Sequence, residues 1–356
     1  MPPPERSAAV TLAIALDAMG GDHAPQVVVA GADLARERNP ELHFLMFGDE
    51  QRLAGLIRGR SQLAARTTIE HTAEVVEPDA RPSQVLRQGR STSMRLAIDA
   101  VKDGRASAAV SAGNTGALMA LAKFILKTLP GIERPAIASL MPTRRSETVV
   151  LDLGANTECD ADNLVQFAVM GEVFARAVLG IPQPTVGLLN IGTEEGKGND
   201  RLRDAAATLR SSPLAIEFRG FVEGTDLTSG KVDVVVTDGF TGNVALKAAE
   251  GAVGLYAQFL REAFKSSILS KLGYLLAKPA LQLLRQRLDP RRYNGAMFLG
   301  LNGIVVKSHG GTDALGFANA IGVAADLVGQ GTNQWIITEL NRLEEEALRS
   351  TRARAS

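Results

Sequence analysis

Short apolar runs recur along the chain, and five of them stop at a loop of small residues before a helix-compatible stretch begins. The loops are DAMGGD from Asp17, SAGNTGA from Ser111, DLGAN from Asp152, NIGTEEGKGN from Asn190 and TDGFTGN from Thr237. Strand signals fall at 11–17, 42–47, 67–71, 107–111, 147–152, 185–190 and 232–237. Helical stretches separate most of them, which predicts an α/β chain built on a doubly wound, mostly parallel sheet. Ligands gather at the carboxyl ends of such strands, so the five loops are expected to converge there.

The most complete helix signature runs from Ala161 to Leu179. Asp160 can cap its start, Gly180 can take the left-handed position after its end, and Pro182 prevents continuation. Residues 244–292 break the alternation and predict a protruding helical hairpin. Its first half is helix-compatible to Ile268; its second carries Leu272, Leu275, Leu276, Leu283 and Leu284 at helical spacing, with Pro279 predicted to kink or restart the helix. Lys271, Lys278, Arg285 and Arg292 recur every seven residues beside that stripe. From Arg261 to Arg292, eight Lys or Arg stand against Glu262 and Asp289 alone. One reading is a hairpin packed on a second subunit with a solvated basic face. The other is a surface for anionic lipid or an acidic carrier protein, and the two are compatible.

The local charge matters because the whole chain has none to spare: 39 basic and 39 acidic residues cancel, so no molecule-wide field draws nucleic acid or membrane. The 356 residues, 45% apolar and 22% charged, suit one large α/β unit over 10–345, as a single domain or two lobes sharing a core, between flexible tails at 1–9 and 346–356. A single cysteine, Cys159, excludes an internal disulfide and a cysteine-based zinc site and fits a reducing, cytoplasmic setting. The apolar stretch Ala8–Leu16 ends at Asp17 and runs into Gly20-Gly21 with no cleavage site, so it reads as a first strand and not a signal peptide. No run approaches the roughly 20 apolar residues of a spanning helix.

The loops share one chemistry. Glycine lets backbone N–H groups approach a ligand, Asn and Thr add neutral donors, and the helix that follows offers the positive end of its dipole, an arrangement suited to phosphate. Gly192-Thr-Glu-Glu-Gly-Lys-Gly lacks the G-x-x-x-x-G-K-[ST] spacing, with Gly198 where a magnesium-binding hydroxyl belongs, and no loop gives G-x-G-x-x-G with a following acid. Nucleotide and dinucleotide binding are therefore disfavoured. His23, His43, His71 and His309 form no metal spacing, so no metal is expected; Ser111 lacks a nucleophile elbow, and Cys159 has no base beside it in sequence. What remains is Lys197, bracketed by Gly196 and Gly198, and Asn243 after Thr241-Gly242 at a helix start. Lys197 reads either as a solvated loop lysine or as a cation for an anion; Asn243 reads either as a plain N-cap or as one that also faces ligand.

Taken in order, IALDAMGGD, SAGNTGA, RPAIA, LDLGAN, LVQFAVMG, LNIGTEEGKGN, VVVTDGFTGNVALK and GLNGIVVKSHGG closely resemble the PlsX family, the acyl-ACP:phosphate acyltransferases, from Ile14 to about Leu327. The resemblance implies a fold like that of the isocitrate and isopropylmalate dehydrogenases, a homodimer, no cofactor, and peripheral association with the inner face of the cell membrane. It implies transfer of a fatty acyl group from acyl carrier protein to inorganic phosphate, giving acyl phosphate that a glycerol-3-phosphate acyltransferase consumes in phospholipid synthesis. By motif, Lys197 and Asn243 are the implied catalytic pair. Gly20, Gly21, Ser111, Gly113, Asn114, Thr115, Gly116, Asn156, Thr241 and Gly242 are expected around phosphate, and Lys271, Lys278 and Arg285 at the carrier-protein or membrane contact. The absence of a His-Asp dyad suits this reaction, because phosphate is already an anionic nucleophile and a thiol of pKa about 8.5 leaves readily. The rival readings are a phosphotransacylase using coenzyme A, a decarboxylating dehydrogenase on the shared fold, for which the loops offer neither magnesium carboxylates nor a nicotinamide site, and a non-catalytic membrane-surface scaffold.

Overall fold

The computed structural model describes residues 12–212, 216–287 and 289–342, without the side chains of 285–287, 290 and 292. Both expected tails, 1–9 and 346–356, lie outside the described residues. The strands are β1 (Ala13–Asp17), β2 (His43–Gly48), β3 (Thr67–His71), β4 (Ala108–Ser111), β5 (Ala136–Pro142), β6 (Glu147–Leu151), β7 (Thr185–Leu189), β8 (Glu217–Val222), β9 (Val234–Val236), β10 (Ala296–Leu299) and β11 (Ile304–Lys307). The helices are α1 (Gln26–Arg38), α2 (Glu50–Ile57), α3 (Ser61–Ala64), α4 (Pro82–Gln88), α5 (Ser93–Lys102), α6 (Thr115–Leu126), α7 (Ala161–Leu179), α8 (Asp200–Ser211), α9 (Gly239–Lys265), α10 (Ile268–Arg287) and α11 (Ala314–Gly329).

All strands join one sheet in the order β3-β2-β1-β4-β11-β10-β5-β6-β9-β7-β8. β3, β2, β1, β4 and β11 run parallel, as do β6, β9, β7 and β8, but β10 and β5 between them are antiparallel to their neighbours where they meet, so the two blocks run in opposite directions. The reversal comes from the hairpin that joins β5 to β6 through Thr143–Ser146. One row of paired residues nevertheless crosses both blocks: Leu16, Val110, Val306, Met297, Ala138, Leu151, Val236 and Leu188. Every one of them is buried in the same core layer. Each of the five glycine loops begins one or two residues beyond this row, two leaving it on one side and three on the other.

Alternation along the strands fills two core layers. Val149, Leu151, Val234 and Val236 face Phe167, Met170 and Phe174 of α7 and Phe317 and Ile321 of α11. Val150 and Val235 belong to the opposite layer with Ile98 of α5, Leu118 and Leu121 of α6, and Phe298. Coverage on both faces explains why these strands read as continuous apolar runs. α7 occupies the expected span, with Asp160 accepting from the Asn163 N–H at 2.8 Å and Gly180 at φ 66°.

The hairpin is a different kind of element. α9 buries only Gly239 and Gly242, at its start, and α10 returns alongside it with Phe264 and Tyr274 edge to face at 5.5 Å. The second helix continues through Pro279 without a break in its helical span, so of the expected kink or restart the restart does not occur. Ile268 is 87% exposed and Leu276 79%, in an apolar stripe with Leu269, Leu272 and Leu275. Among the described residues no helix is long and apolar enough to cross a membrane.

Candidate active site

Three of the loops follow the adjacent strands β6, β9 and β7, and Asp152 organises the first of them. Its buried carboxylate accepts from the N–H groups of Ile137 (3.1 Å), Gly154 (3.2 Å) and Ala155 (2.9 Å) on Oδ1, and from Asn156 N (2.7 Å) and Nδ2 (2.8 Å) on Oδ2. Burial pushes its pKa above the usual carboxylate value, and these donors oppose that shift. The loop is thereby wrapped into a tight turn. The Asn156 Nδ2 also donates to Pro135 O at 2.8 Å, and its carbonyl accepts from Gly239 N at 2.6 Å, so Asn156 ties the loop to the start of α9.

α9 starts earlier than the sequence suggested. Asp238 is the N-cap, accepting from Thr241 N at 2.8 Å and Thr241 Oγ1 at 2.7 Å, which places Asn243 in the second turn. Gly242 is buried against the Asp152 carbonyl, and Asn243 is exposed beside Gly154, where a Cβ would lie 3.6 Å from the Asn243 Cβ.

Lys197 lies on the third loop of this group. It is exposed, its N–H donates to Glu194 O at 3.0 Å, its carbonyl accepts from Asn190 Nδ2 at 3.1 Å, and its side chain passes over Gly192. Gly198 takes φ 81° immediately after it. Asn199 caps α8 through the Leu202 N–H at 3.0 Å, and Arg201 Nη1 reaches Cys159 O at 3.3 Å, joining this loop's helix to the first. The Cys159 thiol is pushed up to about 12 by burial, then by the negative charges of Asp152 and Asp238.

The other group centres on Asp17, fully buried at the end of β1. Ser93 and Ser111 both donate to it at 2.6 Å, and Ser111 Oγ accepts from Gly113 N at 3.0 Å. Burial raises the pKa of Asp17 against these bonds. Gly20 packs on the Asp17 carboxylate and Gly113 N; Gly21, at φ 103°, adjoins Ala112, and Asp22 N donates to Gly310 O at 3.0 Å. Asn114 caps α6 through Ala117 N at 2.9 Å and gives its amide to Pro78 O at 2.8 Å. Gly20, Ser111 and Asn114 thus have partners inside the protein, while Thr115 and Gly116 are exposed at the helix start.

One cavity of about 2280 Å³ spans the two groups across β5. Its polar wall includes Thr115, Gly116, Gly154, Asn243, Lys307 and His309; its apolar wall includes Met119, Phe124, Leu140, Met141, Leu153, Phe240, Leu246 and Val253. Of the expected site residues, Gly20, Gly21, Ser111, Gly113, Asn114, Asn156, Lys197, Thr241 and Gly242 do not line it, nor do Lys271 and Lys278, which are exposed on α10. The Arg285 side chain lies outside the described residues. The cavity thus gathers residues from the loops after β4, β6 and β9, which lie on both sides of the row, while the loops after β1 and β7 are not on its wall. Sequence reasoning missed Asp152 and Lys307 as organising charges. Each was signalled by a charged residue ending an otherwise apolar strand, in VVLD and IVVK.

A family profile described as "Fatty acid synthesis protein" matches residues 12–335. The phosphate acyltransferase of Rhodospirillum centenum is 67% identical over 331 residues, 93% of each chain, and that of Rhodospirillum rubrum 63% over 334 residues, 94% of this chain and 96% of that one. Among solved structures, a phosphotransacetylase from Streptococcus pyogenes superposes with a TM-score of 0.60 at 18% identity, over 89% of this chain and 94% of that one. The EutD phosphotransacetylase from Staphylococcus aureus gives 0.57 at 18%, with the same coverage, a likeness of fold. With such identity along nearly its full length, the chain belongs to the PlsX family of phosphate acyltransferases and is an acyltransferase enzyme.

Proposed function

We propose that the enzyme moves a fatty acyl group from acyl carrier protein to inorganic phosphate, supplying acyl phosphate for phospholipid synthesis. A phosphate oxygen attacks the thioester carbon, the C–S bond breaks, and the carrier leaves as its thiolate. The observation that carries this reading is that Asn243 and Gly154 open onto a cavity whose walls are largely apolar, with Met119, Phe124, Leu140, Met141, Leu246 and Val253 in reach of a long hydrocarbon chain. A cavity of this size exceeds the roughly 300–1,000 Å³ of an ordinary small-molecule site.

In this proposal Asn243 orients phosphate or the thioester carbonyl, and Lys197 offsets charge in the transition state. Lys197 lies off the cavity wall, on the loop that follows β7, the strand paired with β9, whose own loop leads to Asn243. The hairpin's apolar stripe is covered in a homodimer and at an anionic membrane surface, where Lys271, Lys278 and Arg285 meet lipid headgroups or the acidic carrier. No cofactor takes part.

The test is phosphate-dependent release of free carrier protein from palmitoyl carrier protein, with the product trapped by hydroxylamine. Release independent of phosphate, or a strong preference for short-chain acyl-coenzyme A, would overturn the reading.

A further inference from the structure

Lys307 ends β11 on the cavity wall, half-buried. Its ammonium donates to the carbonyl oxygens of Ala112, at 3.4 Å, and Ser308, and makes no ion pair within 4.0 Å among the described residues. An ammonium has three N–H groups, so one remains after these two. The nearest carboxylates act only at longer range. Asp17 on β1 is occupied by Ser93 and Ser111, and Asp22 sits in the loop beyond it. A cation held by carbonyls, on a cavity wall and with no anion in contact, is an arrangement that an anionic ligand would complete.

The surrounding wall has the matching chemistry. Thr115 and Gly116 open α6, whose first N–H groups have no partner within the helix, apart from the Ala117 N–H that Asn114 takes. His309 and Gly311 follow on the other side. Val306 and Leu151, each at or next to the end of its strand, share a row but stand three strand spacings apart, about 14 Å. The Lys307 end is therefore separate from the Asn243 end.

We propose that Lys307, with the opening N–H groups of α6, forms a second oxyanion subsite that holds a phosphate group. This rests on the acyl-to-phosphate reading above. The phosphate is either the inorganic substrate or the phosphate ester on the thiol arm of the acyl donor, and kinetics separate the two. Burial lowers the Lys307 pKa to about 8, with Asp17 and Asp22 opposing, so the cation is present below that pH and lost above it.

With palmitoyl carrier protein and inorganic phosphate as the varied substrates, Lys307→Met should raise one KM roughly tenfold to a hundredfold, the loss expected for one charge-assisted bond. The KM that moves identifies the phosphate held. In the wild type that KM should climb as pH passes about 8, and Lys307→Arg should push the climb to higher pH; the titration of free phosphate is common to both enzymes and cancels. Unchanged KM values for both substrates in a folded Lys307→Met, or a pH limb unmoved in Lys307→Arg, would overturn the subsite. Should Lys307→Met fail to fold, the arginine variant decides. A wild type that shows no phosphate-dependent turnover would instead remove the underlying reading.

Discussion

Gly242 of α9 lies so close to the main-chain carbonyl of Asp152 that a Cβ at this position would overlap the oxygen and sit 2.9 Å from Thr237 Cγ2. Asn243 is the next residue, so its position beside Gly154 depends on that close approach. Gly242→Ala should push α9 off the Asp152 loop, cost about 1–3 kcal/mol, and depress turnover well beyond the stability loss. Gly251 on the same helix has open space within 4 Å of where a Cβ would stand, and Gly251→Ala should be neutral or gain up to about 1 kcal/mol. Chemical denaturation and turnover of the two variants check the contrast; equal behaviour would mean the contact does not position Asn243.

Lys197 is exposed, and its loop is held by backbone bonds and Asn190, without its ammonium. Lys197→Ala should therefore keep the wild-type unfolding curve while turnover falls roughly 100- to 1,000-fold, the loss seen when one donor to a developing oxyanion is removed. Near-normal turnover would take Lys197 out of the reaction.

Six of the seven strands legible from sequence are mostly buried and rich in apolar residues, while the seventh, β3, has no fully buried residue and carries three β-branched ones in Thr67-Thr68-Ile69. β5, β8, β10 and β11 were not legible. Ala136–Pro142 is interrupted by Ser139 and contains small alanines, and β10 and β11 are short and separated by a tight glycine turn. Missing β5 hid the hairpin that reverses the second block, and with it the division of the loops. The loops themselves announced their chemistry, but the spending of donors did not show: Ser111 is taken by Asp17, Asn114 by Ala117 and Pro78, and Asn156 by Asp152 and Pro135. Most of these partners are distant in sequence, and only tertiary structure brings them together.

Cys159 is buried, with its thiol pushed up to about 12, so at pH 8 only about one molecule in ten thousand carries a thiolate. Iodoacetamide should leave the native enzyme unmodified and active while labelling the unfolded chain, and Cys159→Ala should turn over close to wild type. Rapid loss of activity on alkylation would point to a covalent thiol step.

Glu172 on α7 is buried, and its pKa is raised to about 7, chiefly by desolvation, with Glu339 adding to the shift and Arg176, 2.9 Å away, opposing it. The folded state therefore binds a proton that the unfolded state has released between pH about 4.5 and 7, and linkage makes this group's contribution fall as pH rises through that window. The loss reaches up to about 3 kcal/mol above pH 7. Glu172→Gln should be more stable than wild type at pH 8, with the advantage shrinking toward pH 5. Thermal midpoints at the two pH values test this; a difference that does not change with pH would mean that Glu172 is charged throughout.

The hairpin carries the largest exposed apolar stripe of the described residues next to exposed Lys271 and Lys278. The proposed dimer packing and the proposed membrane contact would make separable demands on it. Reversing Lys271, Lys278 and Arg285 to Glu removes the attraction to anionic lipid, worth roughly 1 kcal/mol per basic residue near such a surface, without touching the apolar stripe. The triple variant should lose binding to vesicles containing phosphatidylglycerol, with the wild-type loss of binding on adding salt flattened, while keeping wild-type mass in solution; a raised KM for palmitoyl carrier protein in the same variant would place the carrier on this face as well. Leu272→Ser with Leu276→Ser should instead weaken whichever association buries the stripe, read by sedimentation and by vesicle flotation in parallel. If charge reversal leaves both vesicle binding and carrier-protein affinity intact, the basic face is a solvated surface and the stripe alone governs what the hairpin meets.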